Sequence, residues 1–176
     1  MNWEYRGRCW KFGDNLGIDG DIMPLEFAIK RETNPDVLRD YVMHERDPEF
    51  AKKAQPGDIT VAGRRFAQGN PHIQGFIGIR ALGLGLVAES IPRGSVRNAI
   101  NAAVPFLTGC AGVRELCETG DQLRVDFRSG VFVNETRGVE ARYAPLDTQL
   151  LAIIETGGWE PSVRRRLEAM RQDNRS

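Results

Sequence analysis

Hydrophobic and polar positions change period several times along the chain, and the changes mark out its elements. "GRCWKF" (7–12) alternates, the period-two signature of a strand with one covered face. "GDNLGIDGD" follows as a turn-rich acidic loop. "IMPLEFAIKRET" has mixed periodicity, and Pro24 argues against one continuous helix through it. "NPDVLRDYVMH" predicts a short helix capped by Asn34, with Pro35 in its first turn and Val37, Leu38, Tyr41 and Val42 as its apolar stripe. "DPEFAKKA" reads as a second short helix, and "ITVAG" (59–63) as a β-branched strand. "FIGIRALG" predicts a helix whose Gly75 and Gly78 suit close packing against a sheet. "LGLVAE" (84–89) reads as a buried strand, and "IPRGSVRNAINAAV" as a helix that "PFLTG" ends. "LRVDF" (123–127) and "VFVNET" (131–136), joined by "RSG", form a hairpin. "DTQLLAIIETGG" and "EPSVRRRLEAMR" are the last two helices. Strand, turn, helix, strand, helix over 59–104 is a βαβ-like unit, and the hairpin adds antiparallel strands. The expectation is an α/β fold with a mixed sheet in one domain, 1–176, ending in a helical tail at about 160–176.

Charge narrows the partners. Lys plus Arg and Asp plus Glu both number 24, so no global field draws the chain to nucleic acid or to a membrane surface. Arg164, Arg165 and Arg166, with Arg171 and Arg175 beyond them, read as a solvated helix face. No apolar run is long enough to span a bilayer, and the polar N-terminus lacks a signal-peptide core, which points to the cytoplasm. The three cysteines, Cys9, Cys110 and Cys117, include no C-x-x-C pair. The chain is therefore not expected to hold its own zinc or iron–sulfur centre.

The stretch with the most chemistry is "GRRFAQGNPHIQG" (63–75), between a strand and a helix. Gly69 can take backbone conformations closed to other residues. Asn70 suits an N-cap and Pro71 the first helical position, which would put His72 in the first turn beside unpaired N–H groups. A helix start at the carboxyl end of a strand can receive a carboxylate or phosphate, and a histidine there can donate to that anion or accept a proton. The stretch matches neither G-x-x-x-x-G-K-[ST] nor G-x-G-x-x-G, so a nucleotide loop is excluded. The same residues serve equally well as a plain packing turn with a capping histidine.

Five blocks together carry a resemblance: "GRCWKFGDNLGIDGDIMP" (7–24), "DPEFAKKAQPGDITVAGRRF" (47–66), "ALGLGLVAESIPRGSVRNAINAAVPFL" (81–107), "GDQLRVDF" (120–127) and "IIETGGW" (153–159). In order and spacing they resemble the small subunit of 3-isopropylmalate dehydratase, which corresponds to the swivel domain of aconitase. The resemblance implies a β/β/α swivel module docked on a large subunit that carries a [4Fe–4S] cluster, the pair removing and re-adding water on a small hydroxy-dicarboxylate. The family signature F-G-x-G-S-S-R-E-H-A reads here "FAQGNPHIQG". Gly69 keeps its place, Asn70 stands at the serine that serves as base, Pro71 at the second serine, and His72 at the carboxylate-binding arginine. Asn cannot act as a base and His is not a bidentate guanidinium, so the family's chemistry does not transfer unchanged.

In "DGDIMP" (19–24), Asp19 and Asp21 match the family's D-T-D-x-I-x-P, with Gly20 for the threonine. Asp21 stands where the family hydrogen-bonds active-site groups, although a turn-forming Asx pair would read the same. Ile29, in the loop that faces the variable part of the substrate, implies an apolar group, and Lys30 or Arg31 could replace the lost arginine. Arg93, Arg97 and Asn98 match a family helix, and Gly94 inside it would permit close approach. His72, Asn70 and Asp21 are thus the candidate catalytic residues, with Gly69, Ile29, Lys30, Arg31 and Asp19 as candidate substrate contacts. A non-catalytic regulatory or ligand-binding module is the other reading that the altered motif allows.

Overall fold

The computed structural model describes residues 1–173. Seven strands form one mixed sheet: β1 (Glu4–Lys11), β2 (Ile59–Ala62), β3 (Gly85–Ala88), β4 (Phe106–Leu107), β5 (Gln122–Asp126), β6 (Val131–Asn134) and β7 (Val139–Arg142), in the order β4-β3-β2-β1-β5-β6-β7. Strands β1 to β4 are parallel neighbours; β5, β6 and β7 continue from β1 as an antiparallel meander. The residue patterns account for this division. All four residues of β2 and of β3 are buried, as parallel strands covered on both faces require. β5 and β6 alternate, as strands with one wet face do. β4 and β7 were not foreseen; two residues are too few to show a period, and "VEAR" carries little β-propensity.

Helix α1 (Leu25–Ile29) starts directly after Pro24, which resolves the ambiguous segment as a break followed by a short helix. α2 (Pro35–Leu38) is capped by the Asn34 side chain on the Asp36 N–H, as expected, but passes into a 3₁₀ turn at Arg39–Tyr41. α3 (Phe50–Lys53) follows. α4 (Gln74–Ala81) and α5 (Arg93–Asn101) are the crossovers of the β2–β3–β4 unit. α6 (Thr148–Glu155), capped by Asp147, and α7 (Trp159–Asp173) close the chain. Arg164, Arg165 and Arg166 are exposed on α7, and Arg164 pairs with Glu160 at 2.9 Å; Arg175 lies outside the described residues.

One cluster of buried apolar side chains runs from Trp3 to Ile154 and includes Phe50, Phe66, Phe76, Phe106, Phe127 and Phe132. Beneath β1 a buried polar hub is fully paired. The buried Asp58 carboxylate accepts from the Arg8 N–H (2.8 Å), the Trp10 indole N–H (2.9 Å) and the Gln55 N–H (3.0 Å). The glycines of α4 serve a different contact from the one expected. A Cβ at Gly75 would meet Ile18 Cδ1 at 2.8 Å, and one at Gly78 would meet Val42 Cγ2 at 2.5 Å. The small face of α4 therefore packs on the β1 loop and the α2 segment, not on the sheet.

Candidate functional site

Two loops leave the carboxyl ends of β1 and β2 and run side by side past the sheet. Bonds from Phe12 N–H to the Val61 carbonyl (2.8 Å), Asn15 N–H to Arg64 (2.8 Å), Gln68 N–H to Leu16 (2.9 Å) and Ile18 N–H to Gln68 (2.9 Å) zip them together. Buried Leu16, Ile18, Phe66 and Ala67 pin the zipper to the core. Beyond it the first loop turns at Gly20 (φ +89°) and the second at Gly69 (φ +103°), conformations that side chains resist. These turns bring together two residues 53 positions apart. His72 Nδ1 lies 2.9 Å from Asp19 Oδ1 and 2.8 Å from Oδ2. Both side chains are part-exposed, 33% for His72 and 24% for Asp19. Asn70 Nδ2 stands 3.4 Å from the other ring nitrogen, Nε2.

A carboxylate only accepts, so the nitrogen facing Asp19 must carry a proton. Nε2 is then the nitrogen with a lone pair whenever the imidazole is neutral. This is the arrangement in which an acidic partner fixes the tautomer of a histidine base.

The expected helix start is corrected. Asn70 does not cap α4, and Pro71 and His72 precede it; the N-cap is Ile73, with no side-chain cap. The Asn70 carbonyl, which would have opened the helical ladder, is taken by the His72 N–H instead (2.8 Å), and the Pro71 carbonyl accepts from Asn98 Nδ2 at 2.6 Å. The ladder begins at the Ile73 carbonyl. The first residues of α4, Gln74 and Gly75, are buried. An anion resting on first-turn amides beside His72 is therefore not what this junction offers; it offers a loop histidine held by a carboxylate.

α5 supports the loop from behind. Asn98 holds Pro71, and the Ser95 hydroxyl donates to the Ala67 carbonyl. A Cβ at Gly94 would lie 3.1 Å from Pro71 Cβ and 3.2 Å from Cγ, so Gly94 permits a close approach. Ser95 gave no signal in the sequence, since a hydroxyl bonded to a distant carbonyl has no local pattern.

The other candidate residues are placed differently. Asp21 does not meet His72. Its Oδ2 accepts from the Gly17 N–H (2.7 Å) and its Oδ1 from Arg46 Nε (2.7 Å), so both oxygens are occupied in shaping the turn. Arg46 was not singled out in the sequence, because it stands 25 positions from its partner. Ile29 is 73% exposed at the end of α1. Lys30 pairs with Glu26 at 2.6 Å across one helical turn, and Arg31 takes φ +53° just beyond. The chain after Arg31 reaches the His72 loop through buried Gln74, whose Nε2 donates to the Glu32 carbonyl at 3.1 Å. Gly69 is exposed, with nothing within 4 Å of a Cβ built on it.

The three cysteines are all free and buried, and the Cys117 thiol donates to the Val113 carbonyl at 3.7 Å. Burial pushes the Cys110 thiol up to about 12. Among the described residues no group of three or more His, Cys, Asp or Glu is placed to hold a metal ion. No described helix is long and apolar enough to cross a membrane.

No family model matches the chain. Individual proteins do. The isopropylmalate/citramalate isomerase small subunit of Methanocaldococcus jannaschii is 35% identical over 163 residues, 92% of this chain and 95% of that protein. The methanogen homoaconitase small subunit of Methanothermobacter thermautotrophicus is 38% identical over 154 residues, 87% of this chain and 86% of its own length. Among solved structures, 3-isopropylmalate dehydratase (LeuD) of Methanocaldococcus jannaschii superposes with a TM-score of 0.86 at 27% identity, covering 97% of this chain and 99% of that one. The fold is thus the α/β swivel type that the five blocks pointed to, and the chain belongs to the family of 3-isopropylmalate dehydratase small subunits.

Proposed function

We propose that this chain is the small subunit of an aconitase-family hydro-lyase, and that His72, set by Asp19, is its proton-transferring group. The substrate is a small 2-hydroxy acid with two carboxylates. A separate large subunit completes the site and carries a [4Fe–4S] cluster, which when bound supplies a Lewis acid for the departing hydroxyl.

The observation that carries the reading is the pair of contacts, 2.8 and 2.9 Å, from Asp19 to Nδ1. Asp19 holds the ring and its proton, leaving Nε2 to take the proton from the carbon next to a substrate carboxylate. Asp19 also stabilises the imidazolium that results. Asn70 Nδ2, beside Nε2, can donate to a substrate oxygen once the ring nitrogen is engaged. Ile29, exposed at the end of α1, would meet an apolar part of the substrate, and Lys30 or Arg31 one of its carboxylates.

The test is co-expression with the large subunit and an assay of dehydration of 2-hydroxy diacids, read as absorbance of the unsaturated product. His72→Ala should lower kcat/KM by roughly 10²–10⁴-fold, the usual share of a general base. Asp19→Asn should lower it less, with the loss mainly in kcat. A complex that turns over normally with His72→Ala would remove the residue from the chemistry. A wild-type complex with no turnover on any diacid would favour the non-catalytic module.

A further inference from the structure

At the carboxyl ends of β1, β2 and β3 lies a polar cleft of about 390 Å³, lined by Asp14, Asn15, Arg64, Arg65 and Ser90. Open α/β sheets bind ligands outside this end of their strands. Two guanidiniums, those of Arg64 and Arg114, meet over the Asp14 carboxylate. Asp14 Oδ1 accepts from the Arg64 N–H at 2.8 Å and from Arg114 Nη1 at 3.1 Å, and Oδ2 from Arg64 Nη2 at 3.2 Å. Arg65 is anchored by its backbone N–H on Ser90 Oγ (2.9 Å) and by its Nε on Asn15 Oδ1 (2.8 Å). Both of its terminal nitrogens have no partner among the described residues.

The cleft is assembled at a cost. Arg65 and Ala67 hold left-handed backbone, φ +56° and +63°, which side chains other than Asn and Asp seldom take. Arg114 and Asp14 lie so close over Gly63 that no side chain fits there: a Cβ would be 3.0 Å from Arg114 Cδ and in hard contact with Asp14 Oδ1. Arg114 Nε is buried with no acceptor. The Arg64 N–H, ahead of the guanidiniums, holds the Asp14 carboxyl below its usual range, so this counter-charge stays ionised between the two guanidiniums that pair with it, while Arg65 makes no pair with it.

We propose that this cleft is a binding site for an oxyanion group, a phosphate or a carboxylate of a small metabolite. Arg65 would grip it with the free edge of its guanidinium, and Arg64 would complete the shell. A planar fork with two free nitrogens is the group that matches two oxygens of such an anion. The proposal does not rest on the hydro-lyase reading, since it concerns binding by residues outside the His72–Asp19 pair.

The experiment is calorimetric titration of the full chain, in its complex if it purifies as one, with inorganic phosphate and separately with succinate, against sodium chloride at equal ionic strength. Saturable binding of phosphate alone identifies a phosphorylated ligand, and of succinate alone a dicarboxylate; either supports the proposal. Arg65→Ala should weaken that binding at least tenfold. Arg65→Lys should also weaken it, because the fork is lost while the charge stays. Arg97→Ala, on α5 and outside the cleft, should change nothing. Thermal melts of each variant separate loss of the site from loss of the fold, and Arg64→Ala gives a second, independent reading. Binding no stronger than that of chloride, or binding unchanged in folded Arg65→Ala, overturns the proposal.

Discussion

Adding one methyl group at Gly94 puts helix energetics and site geometry in opposition. Gly94 is the second residue of α5, and Gly→Ala within a helix gains up to about 1 kcal/mol, less near an end. The new Cβ would sit 3.1 Å and 3.2 Å from two carbons of Pro71, where carbon pairs prefer about 3.5–4.0 Å. The proline must retreat by roughly 0.5 Å to restore that spacing. It cannot do so freely, since its carbonyl is tied at 2.6 Å to Asn98 on the same helix. Pro71 is exposed, so the crowding cost sits at the low end of the 1–3 kcal/mol typical of overpacking, and the two terms nearly cancel. Stability of Gly94→Ala should therefore stay within about 1 kcal/mol of wild type. The site has less tolerance. Productive geometry holds within about 0.5 Å, and a 1 Å misplacement costs about 10²-fold, so kcat/KM should fall about tenfold as His72 shifts with its neighbour. Urea unfolding of the chain and kinetics of the two-subunit enzyme read the two quantities separately. Full activity in a variant whose stability is unchanged would refute the claim that α5 sets the position of His72.

Other perturbations should behave as follows. Gly78→Ala places a methyl 2.5 Å from Val42 Cγ2 and 3.0 Å from the Leu38 carbonyl, a clash worth about 1–3 kcal/mol that outweighs the helix gain, so urea denaturation should show a net loss of about 1–2 kcal/mol. Asp58→Ala strands three donors beneath β1 and should cost roughly 3–5 kcal/mol in the same assay; a loss under 1 kcal/mol would show that water replaces the carboxylate. Burial pushes the Asp121 carboxyl up, but Asn134, the Glu118 N–H and Arg137 together outweigh it and hold it below the ordinary carboxylate range. The folded value is the lower one, so the stabilisation is complete above about pH 4, the unfolded value, and is lost as pH falls through the folded value. The stability gap between wild type and Asp121→Asn should accordingly be constant near neutrality and shrink below about pH 4.

Much of the fold was legible because it is written in local period. The short β-branched "ITVA" and the apolar "GLVA" read as strands of a βαβ-like unit, and the alternating "LRVDF" and "VFVN" as a hairpin, since burial on two faces or one leaves a different pattern. The site was less legible, for three physical reasons. The helix starts only at Gln74: the Asn70 carbonyl that would have opened it accepts from the His72 N–H, and the Pro71 carbonyl is held by a side chain 27 positions away, Asn98. Local capping rules at Asn70 and Pro71 carry no information about that competitor. Asp19 and Asp21 are indistinguishable as residues two apart in a turn; only the path of the loop sends one to His72 and the other to Arg46. Arg46, Ser95 and Arg114 act through partners 25, 28 and 100 positions distant, beyond the reach of any spacing motif.

The account stands on Asp19 fixing the proton of His72 on Nδ1. Nitrogen-15 NMR of the imidazoles reads this directly, at a pH of about 8.5 where an ordinary histidine is neutral. The only other histidine, His44, is removed by His44→Gln to secure the assignment. The expected spectrum shows His72 with a protonated Nδ1 and an unprotonated Nε2, and a mixture of tautomers in Asp19→Asn. A proton on Nε2 in the wild-type protein, or a tautomer indifferent to Asp19, would contradict the account.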